Sequence, residues 1–365
     1  MAEISHHSKV RLENFTAFAD ATFEFCPGIN AIIGENGTGK THLMKALYAG
    51  QRPRSREVPD TESALKQLFQ VEDFQSLIRI STERSVALKV DGMFGSVDWG
   101  YRIDRRTNGD EHGGVYSSSL GLMTRPVSPS RPVFIPATDM LGHSKGFKEA
   151  YNTVFLDFDL TCYDLLGLLS LRGRAEVAGA LGEARSSARA AYGAGTGTGR
   201  DLQSILQGEV VEDETSGRFY LLTATGRMEM PLVAEGLRKV ATLIRLKQNQ
   251  WLLPGATLFW DEPEVNINPV LMRPIVAELL SLARHGVQVF LTTHSYVILK
   301  ELDLQAGETD PLRYFSLSHS SKGSLVTASE SLSDLEPNSI LGHYGNLYDR
   351  DLDRTLGGVR TRGSV

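Results

Sequence analysis

The sequence predicts an α/β protein built around a phosphate-binding loop, with an antiparallel β-subdomain, a helical insertion and no long coiled coil. Three observations carry this. An apolar run over residues 29–33 leads into Gly34-Glu35-Asn36-Gly37-Thr38-Gly39-Lys40-Thr41, and a segment of helical character, residues 41–48, follows until Gly50, which is expected to stop it. A second apolar run, residues 256–260, ends in Asp261-Glu262-Pro263-Glu264. A third, residues 287–291, runs into Thr292-Thr293-His294-Ser295. Each apolar run reads as a short buried strand.

The first of these segments matches the pattern G-x-x-x-x-G-K-[ST] at every fixed position and has the strand, glycine-rich turn and helix that the pattern requires. Its glycines let the backbone wrap closely around a polyphosphate, and successive amide groups and the helix N-terminus face the anion. The expected nucleotide contacts are Gly34, Asn36, Gly37, Thr38, Gly39, Lys40, Thr41 and His42, with Lys40 reaching the terminal phosphates and Thr41 available to magnesium. An acidic pair at the end of an apolar strand supplies the remaining parts. Asp261 is placed to hold magnesium, directly or through water, and Glu262 to polarise an attacking water. His294 stands at the strand end where a γ-phosphate sensor would lie. The expected cofactors are therefore ATP and Mg2+.

Taken in order, GENGTGKT, LFWDEPE and VFLTTHS resemble an ABC-type ATPase head of the SMC/RecF branch, the branch that includes the ATPases of bacterial anti-phage systems. The opening segment adds to the resemblance through Asn14-Phe15, Phe23, Phe25 and Gly28-Ile29-Asn30. It covers about residues 8–50 and 230–300. The resemblance implies a signature helix that reaches across a dimer, and Ala234-Glu235-Gly236-Leu237-Arg238-Lys239 stands where the family places it. Ala234 and Glu235 replace the usual Ser-Gly, whereas Gly236 is retained. Leu237, Val240, Ala241 and Ile244 give this segment one apolar helical face. Val265-Asn266-Ile267-Asn268-Pro269 resembles the D-loop that joins two heads. Gly236 and Asn266 are accordingly expected to act in trans, with ATP between two heads of a homodimer or higher oligomer. A partner effector, commonly a nuclease, is implied, and nucleic acid is a further candidate partner. A RecF-like DNA-repair ATPase and, more distantly, a transporter nucleotide-binding subunit are the alternatives.

Around these motifs the chain divides into residues 1–140, an N-terminal ATPase lobe with the β-subdomain; 141–230, a helical insertion with a hairpin; and 231–365, a C-terminal lobe with the signature helix, the acidic pair, the D-loop and His294. Alternating runs at 85–90 and 97–103 suggest the antiparallel subdomain. Residues 133–136 read as a strand ending in Ala137-Thr138-Asp139, a place for a nucleotide-coupling loop although no glutamine is present. Residues 145–192 read as largely helical, 193–199 as a linker, and 208–222 as a hairpin with its tip at 212–217. In the tail, strands are expected near 314–317 and 324–328, Asp349, Asp351 and Asp353 as a solvated helix face, and residues 357–365 as frayed.

Composition sets further bounds. The chain has 365 residues and a formal charge of −6, which excludes a global basic field toward nucleic acid but not a local one. Its two cysteines, Cys26 and Cys162, are far apart and lack metal-ligand spacing, as suits a reducing compartment. Neither a signal peptide nor an apolar run long enough to span a bilayer is visible, so a cytoplasmic protein without membrane partners is expected. The His6-His7 pair reads as a polar terminus. One rival motif, residues 153–161, fits the hydrophobic-strand plus D-x-D-x-T pattern of aspartate-nucleophile phosphatases through Asp157 and Asp159. Residues 149–238 contain no lysine to serve the phosphate, which favours a helix entry instead.

Overall fold

The computed structural model describes residues 5–53, 60–80, 85–108, 115–122, 131–153, 156–170, 199–213 and 215–355, with backbone only for 85, 105–108, 115–122 and 199–201. The expectations for residues 109–114, 171–198 and 357–365 lie outside the described residues.

Three sheets organise the described residues. Strands β1 (His7–Phe15), β2 (Phe18–Glu24), β4 (Ser85–Phe94), β5 (Val97–Asn108) and β6 (Val115–Leu122) form an antiparallel sheet in the order β2-β1-β4-β5-β6. The central sheet has the order β14-β13-β3-β12-β11-β7, where β3 is Ile29–Gly34, β7 Val133–Ile135, β11 Thr257–Trp260, β12 Gln288–Thr292, β13 Leu312–Ser318 and β14 Leu325–Ser329. Its strands run parallel except for the edge strand β14. The two ends of the chain therefore interleave in one sheet, β3 lying between β12 and β13. A third sheet, β10-β9-β8, contains β8 (Gly208–Glu212), β9 (Phe219–Thr223) and β10 (Gly226–Glu229). The expected hairpin is its first two strands; the third was not foreseen.

Parallel strands covered on both faces must be apolar at successive positions, and each residue then belongs to one core or the other because side chains alternate across a strand. In β11, Leu258 and Trp260 face one core and Phe259 the other; in β12, Val289 and Leu291 face the first and Phe290 the second. The first core is covered by α6 (Glu235–Gln248), α7 (Met272–Arg284) and α8 (Tyr296–Gln305). The second is shared with the antiparallel sheet, α1 (Lys40–Gln51) and α2 (Thr61–Phe69). At its centre Phe134, Phe259 and Phe290 stack, with centroid distances of 5.9 and 5.0 Å. Truncating the middle ring, Phe259→Ala, is expected to cost about 3–5 kcal/mol, read as a lower denaturant midpoint.

Two local expectations are corrected. Gly50 does not stop α1, which runs on to Gln51 before Pro53. A Cβ at Gly50 would lie 2.3 Å from the Trp99 ring, so this glycine serves a close crossing with β5 rather than a helix end. Nor is His7 part of a polar terminus. It is fully buried as the opening residue of β1, with its ring 4.9 Å from that of Phe94 and 5.9 Å from that of Phe290, and Nε2 3.2 Å from Gln51 Oε1. Gln288, 281 residues away, accepts from the His7 amide and donates to its carbonyl.

Burial depresses the His7 pKa to about 3, against the Gln51 hydrogen bond that raises it, and burial likewise lowers His42 to about 4. Both imidazoles are thus neutral when folded, and below their ordinary value of 6.5 the unfolded chain binds more protons. Stability is expected to fall as pH drops from about 6.5 towards 3. Denaturant midpoints across this window check it, and a His7→Gln variant should decline less steeply.

Two elements of the insertion, α3 (Phe147–Thr153) and α4 (Leu160–Leu169), agree with the helical reading, and α5 (Gly199–Leu206) begins at the glycine expected to end a linker. Asp159 is the N-cap of α4: its carboxylate accepts from the Thr161 amide and pairs with Lys45 at 2.6 Å. Asp159 of the phosphatase pattern is thus a helix entry, while residues 154 and 155 of that pattern lie outside the described residues. The described residues end with α9 (Ser339–Thr355), on which Asp349, Asp351 and Asp353 are exposed. Among the described residues no helix is long and apolar enough to cross a membrane.

Candidate active site

The site lies at the carboxyl ends of β3, β11 and β12, which are adjacent in the central sheet, the usual position for ligands of such sheets. β3 ends at Gly34, where a Cβ would lie 2.3 Å from the Leu317 carbonyl of β13, so this strand end tolerates no side chain. Gly37 and Gly39 take φ of 79° and 95°, the left-handed region open to glycine. Thr38 Oγ1 donates to the Glu35 carbonyl at 2.8 Å and closes the turn. His319, beyond the end of β13, backs the loop through Nε2, 2.9 Å from the Asn36 carbonyl.

Lys40 opens α1 and is buried. Its Nζ donates to the carbonyls of Gly34 and Glu35, both at 2.9 Å, which holds the cation over the loop. Desolvation lowers its pKa, while the charges of Glu262, Asp261 and Glu264 act the other way. Thr41 Oγ1 is 3.0 Å from each carboxylate oxygen of Asp261, 220 residues away. Two segments that the sequence could only list in order are thus in contact. The His42 side chain turns away from the loop: its ring lies 5.5 Å from that of Phe69 on α2.

Thr292, passed over in the sequence as part of a strand end, joins β11 to β12. Its Oγ1 donates to Asp261 Oδ1 at 2.5 Å and accepts from the Glu262 amide at 3.1 Å. Glu262 has φ of 45°, an uncommon conformation for a residue with a Cβ, and its Oε1 lies 3.3 Å from His294 Nε2. Glu264 was also missed. Its Oε1 accepts from Thr293 Oγ1 at 2.8 Å and from the His294 amide at 2.6 Å, so the acidic turn fixes the histidine turn. Burial raises the pKa of both Asp261 and Glu264, and these hydrogen bonds lower it in part.

The segment expected to be the signature meets the turn that follows Glu264. Gly236 is buried on α6, and a Cβ there would lie 2.8 Å from the Asn266 carbonyl and 3.2 Å from Ile267 Cα. The two residues expected to act in trans therefore touch one another within one chain. Lys239 Nζ donates to the Val265 carbonyl at 2.8 Å. Arg238 Nε donates to Asp139 at 2.6 Å, which links the loop after β7 to α6. Val240, Ala241 and Ile244 are buried and Leu237 packs against the same core, as their spacing predicts.

The donors suit magnesium and a nucleoside triphosphate. Thr41 and Asp261 offer hard oxygen ligands side by side, beneath a loop of amides and one lysine. Among the described residues no group of three or more His, Cys, Asp or Glu is arranged to hold a metal. Magnesium does not need one, because phosphate and water oxygens complete its shell. Thr292→Val is expected to reduce turnover about 10–100-fold by releasing Asp261 and Glu262 together, with little change in fold, measured by phosphate release and thermal melting.

The fold and the order of these motifs are similar to those of an ABC-type ATPase head of the SMC/RecF branch. Two family models match: one described as an AAA domain over residues 9–106, and one described as AAA domain, putative AbiEii toxin, Type IV TA system, over residues 179–300. Among curated proteins, the DNA replication and repair protein RecF of Limosilactobacillus reuteri (strain DSM 20016) is 28% identical over 79 residues, 22% of this chain and 20% of that protein. RecF of Pediococcus pentosaceus is 46% identical over 39 residues, 11% and 10% of the two chains. These matches thus span a fifth of the relatives' length or less. Among solved structures, an SmcHead bound to the C-winged helix domain of ScpA aligns over 90% of this chain and 98% of its own, with a TM-score of 0.55 and 13% identity. An Smc head domain with an extended coiled coil, bound to the C-terminal domain of ScpA derived from Pyrococcus furiosus, aligns over 95% and 99%, with a TM-score of 0.50 and 12% identity.

Proposed function

We propose that this chain binds and hydrolyses MgATP and that two chains pair through their nucleotide sites when ATP is bound. The observation that carries the reading is the junction of Thr41, Asp261, Thr292, Glu262 and His294 at three neighbouring strand ends. Thr41 and Asp261 would hold magnesium, which when bound neutralises phosphate charge and fixes the terminal phosphates. Lys40 and the loop amides bind and orient those phosphates. Glu262 orients water and takes up its proton at a carboxylate oxygen, while His294, held by Glu264 through its amide, stabilises charge on the transferring group. The segment at Gly236 of a second chain caps the γ-phosphate, with Asn266 beside it.

Such a head transmits nucleotide occupancy to a partner. In this reading it acts as a sensor and scaffold for an effector protein, a nuclease, in anti-phage defence; the toxin–antitoxin description of the second family model supports it. Two structural neighbours are bound to domains of ScpA, which supports a protein partner. The RecF matches favour a second reading, a DNA-repair ATPase that binds DNA when ATP is present. Light scattering of the purified protein with no nucleotide, MgADP, MgATP and a non-hydrolysable ATP analogue tests pairing, with phosphate release measured in parallel. A mass that doubles only with the triphosphates supports it; an unchanged mass together with ATP-dependent DNA binding shifts the assignment to the second reading.

A further inference from the structure

We propose that helix α9 is a cis latch over the γ-phosphate end of the nucleotide site, and that it competes with a second head for that face. The inference rests on the pairing set out above and names how it is regulated. A cavity of about 450 Å³ opens at the phosphate loop, lined on one side by Gly34, Glu35, Asn36 and His294. Its opposite wall is the first turns of α9, through Ser339, Ile340, His343 and Tyr344. The helix thus stands across from the loop and histidine that a partner's Gly236 segment must approach.

The way α9 is held suits a device that lifts. Its base is fixed: Ser316 of β13 donates to the Pro337 carbonyl, the Asn338 side chain accepts from the Leu341 amide, and Leu332 and Leu335 are buried just upstream. Beyond that base, Ile340 is the one buried residue among the described residues of the helix. Tyr344 instead stacks on Tyr296 with ring centroids 4.6 Å apart. Tyr296 opens α8, two residues after His294, so the stack ties the helix to the γ-phosphate sensor turn. Leu341 packs against the first core and Leu352 is half-buried, whereas Leu347 is 47% exposed, Tyr348 64% and Tyr344, despite its stack, 43%. A firm pivot that includes Ile340 and Leu341, one stacked ring pair and a largely solvated rod beyond it make two positions accessible, latched and lifted. ATP shifts the balance because the partner head binds only the lifted form.

Two variants and one probe, the non-hydrolysable analogue AMP-PNP, test this by light scattering of the full chain. Tyr344→Ala removes the stack at a half-exposed position and is expected to lower the AMP-PNP concentration for half-maximal pairing by about 2–10-fold. Tyr296→Cys/Tyr344→Cys, oxidised to a disulfide, is expected to lose pairing and to regain it on reduction, with oxidised wild type as control. Equal pairing of the locked and reduced forms would overturn the latch. So would weaker binding of fluorescent ATP by Tyr344→Ala, which would make α9 a wall of the nucleotide site itself. If wild type binds fluorescent ATP yet never pairs, the pairing reading fails and the latch falls with it, a result distinct from failure of the locked variant alone.

Discussion

Glu262→Gln is expected to lower phosphate release by about 10²–10⁴-fold, the range for removal of a positioned general base, while ATP binding persists. The reasoning lies in how Glu262 is held. Its backbone sits at positive φ with its amide on Thr292 Oγ1, and its carboxylate is 3.3 Å from His294 Nε2, half exposed towards the face where water and phosphate meet. Glutamine has nearly the same shape and keeps the backbone contact, so the turn survives; it cannot accept a proton from water. Because the variant holds ATP without consuming it, a paired state should accumulate in MgATP that wild type only passes through. Single-turnover phosphate release with light scattering reads both consequences. Turnover near the wild-type rate would remove Glu262 from the role of base, leaving Glu264 unsuited to replace it, since its Oε1 is committed to Thr293 and His294 and its Oε2 is buried away from water.

The parts of this site that local patterns carry were legible in the sequence: the phosphate loop, the acidic strand end and the histidine turn each keep their chemistry within a few neighbouring residues. The strands that bear them are short apolar runs, and burial on both faces leaves little else they could be. What sequence could not show were contacts closed across long separations. Thr292 looks like any strand-end threonine until β12 is placed beside β11, and His7 looks like a polar terminus until Gln288 and the rings of Phe94 and Phe290 surround it. Gly50 misled because a glycine near a helix end has two physical uses, ending the helix or admitting a neighbour, and only the Trp99 ring distinguishes them. The wall that α9 builds over the loop was equally invisible, because nothing in an amphipathic tail helix states which surface it lies against.

Lys40→Ala is expected to weaken ATP binding by about 10²-fold, the value of one to two charge-assisted hydrogen bonds to phosphate, and to cut phosphate release by a further 10²–10³-fold or so. Loss of the cation acts in both ground and transition states, since no other lysine or arginine among the described residues is held on the loop carbonyls. Lys40 is buried and carries its charge against desolvation, with Glu262, Asp261 and Glu264 offsetting that cost. Removing it leaves three carboxylates without their neighbour, so the loss extends beyond binding to the charge balance of the whole junction. Truncation also empties space beneath the loop and frees the carbonyls of Gly34 and Glu35, which destabilises the turn. Lys40→Met separates volume from charge: like Lys40→Ala it frees those carbonyls and cannot offset phosphate charge, but it fills the space beneath the loop. Fluorescent-ATP titration and thermal melting of both variants decide the matter. Equal loss of binding in both, with the larger drop in melting temperature in Lys40→Ala, assigns the lysine's charge to phosphate recognition; retained binding in Lys40→Met would make its stem a filler beneath the loop, with the amides and Thr41 carrying the nucleotide.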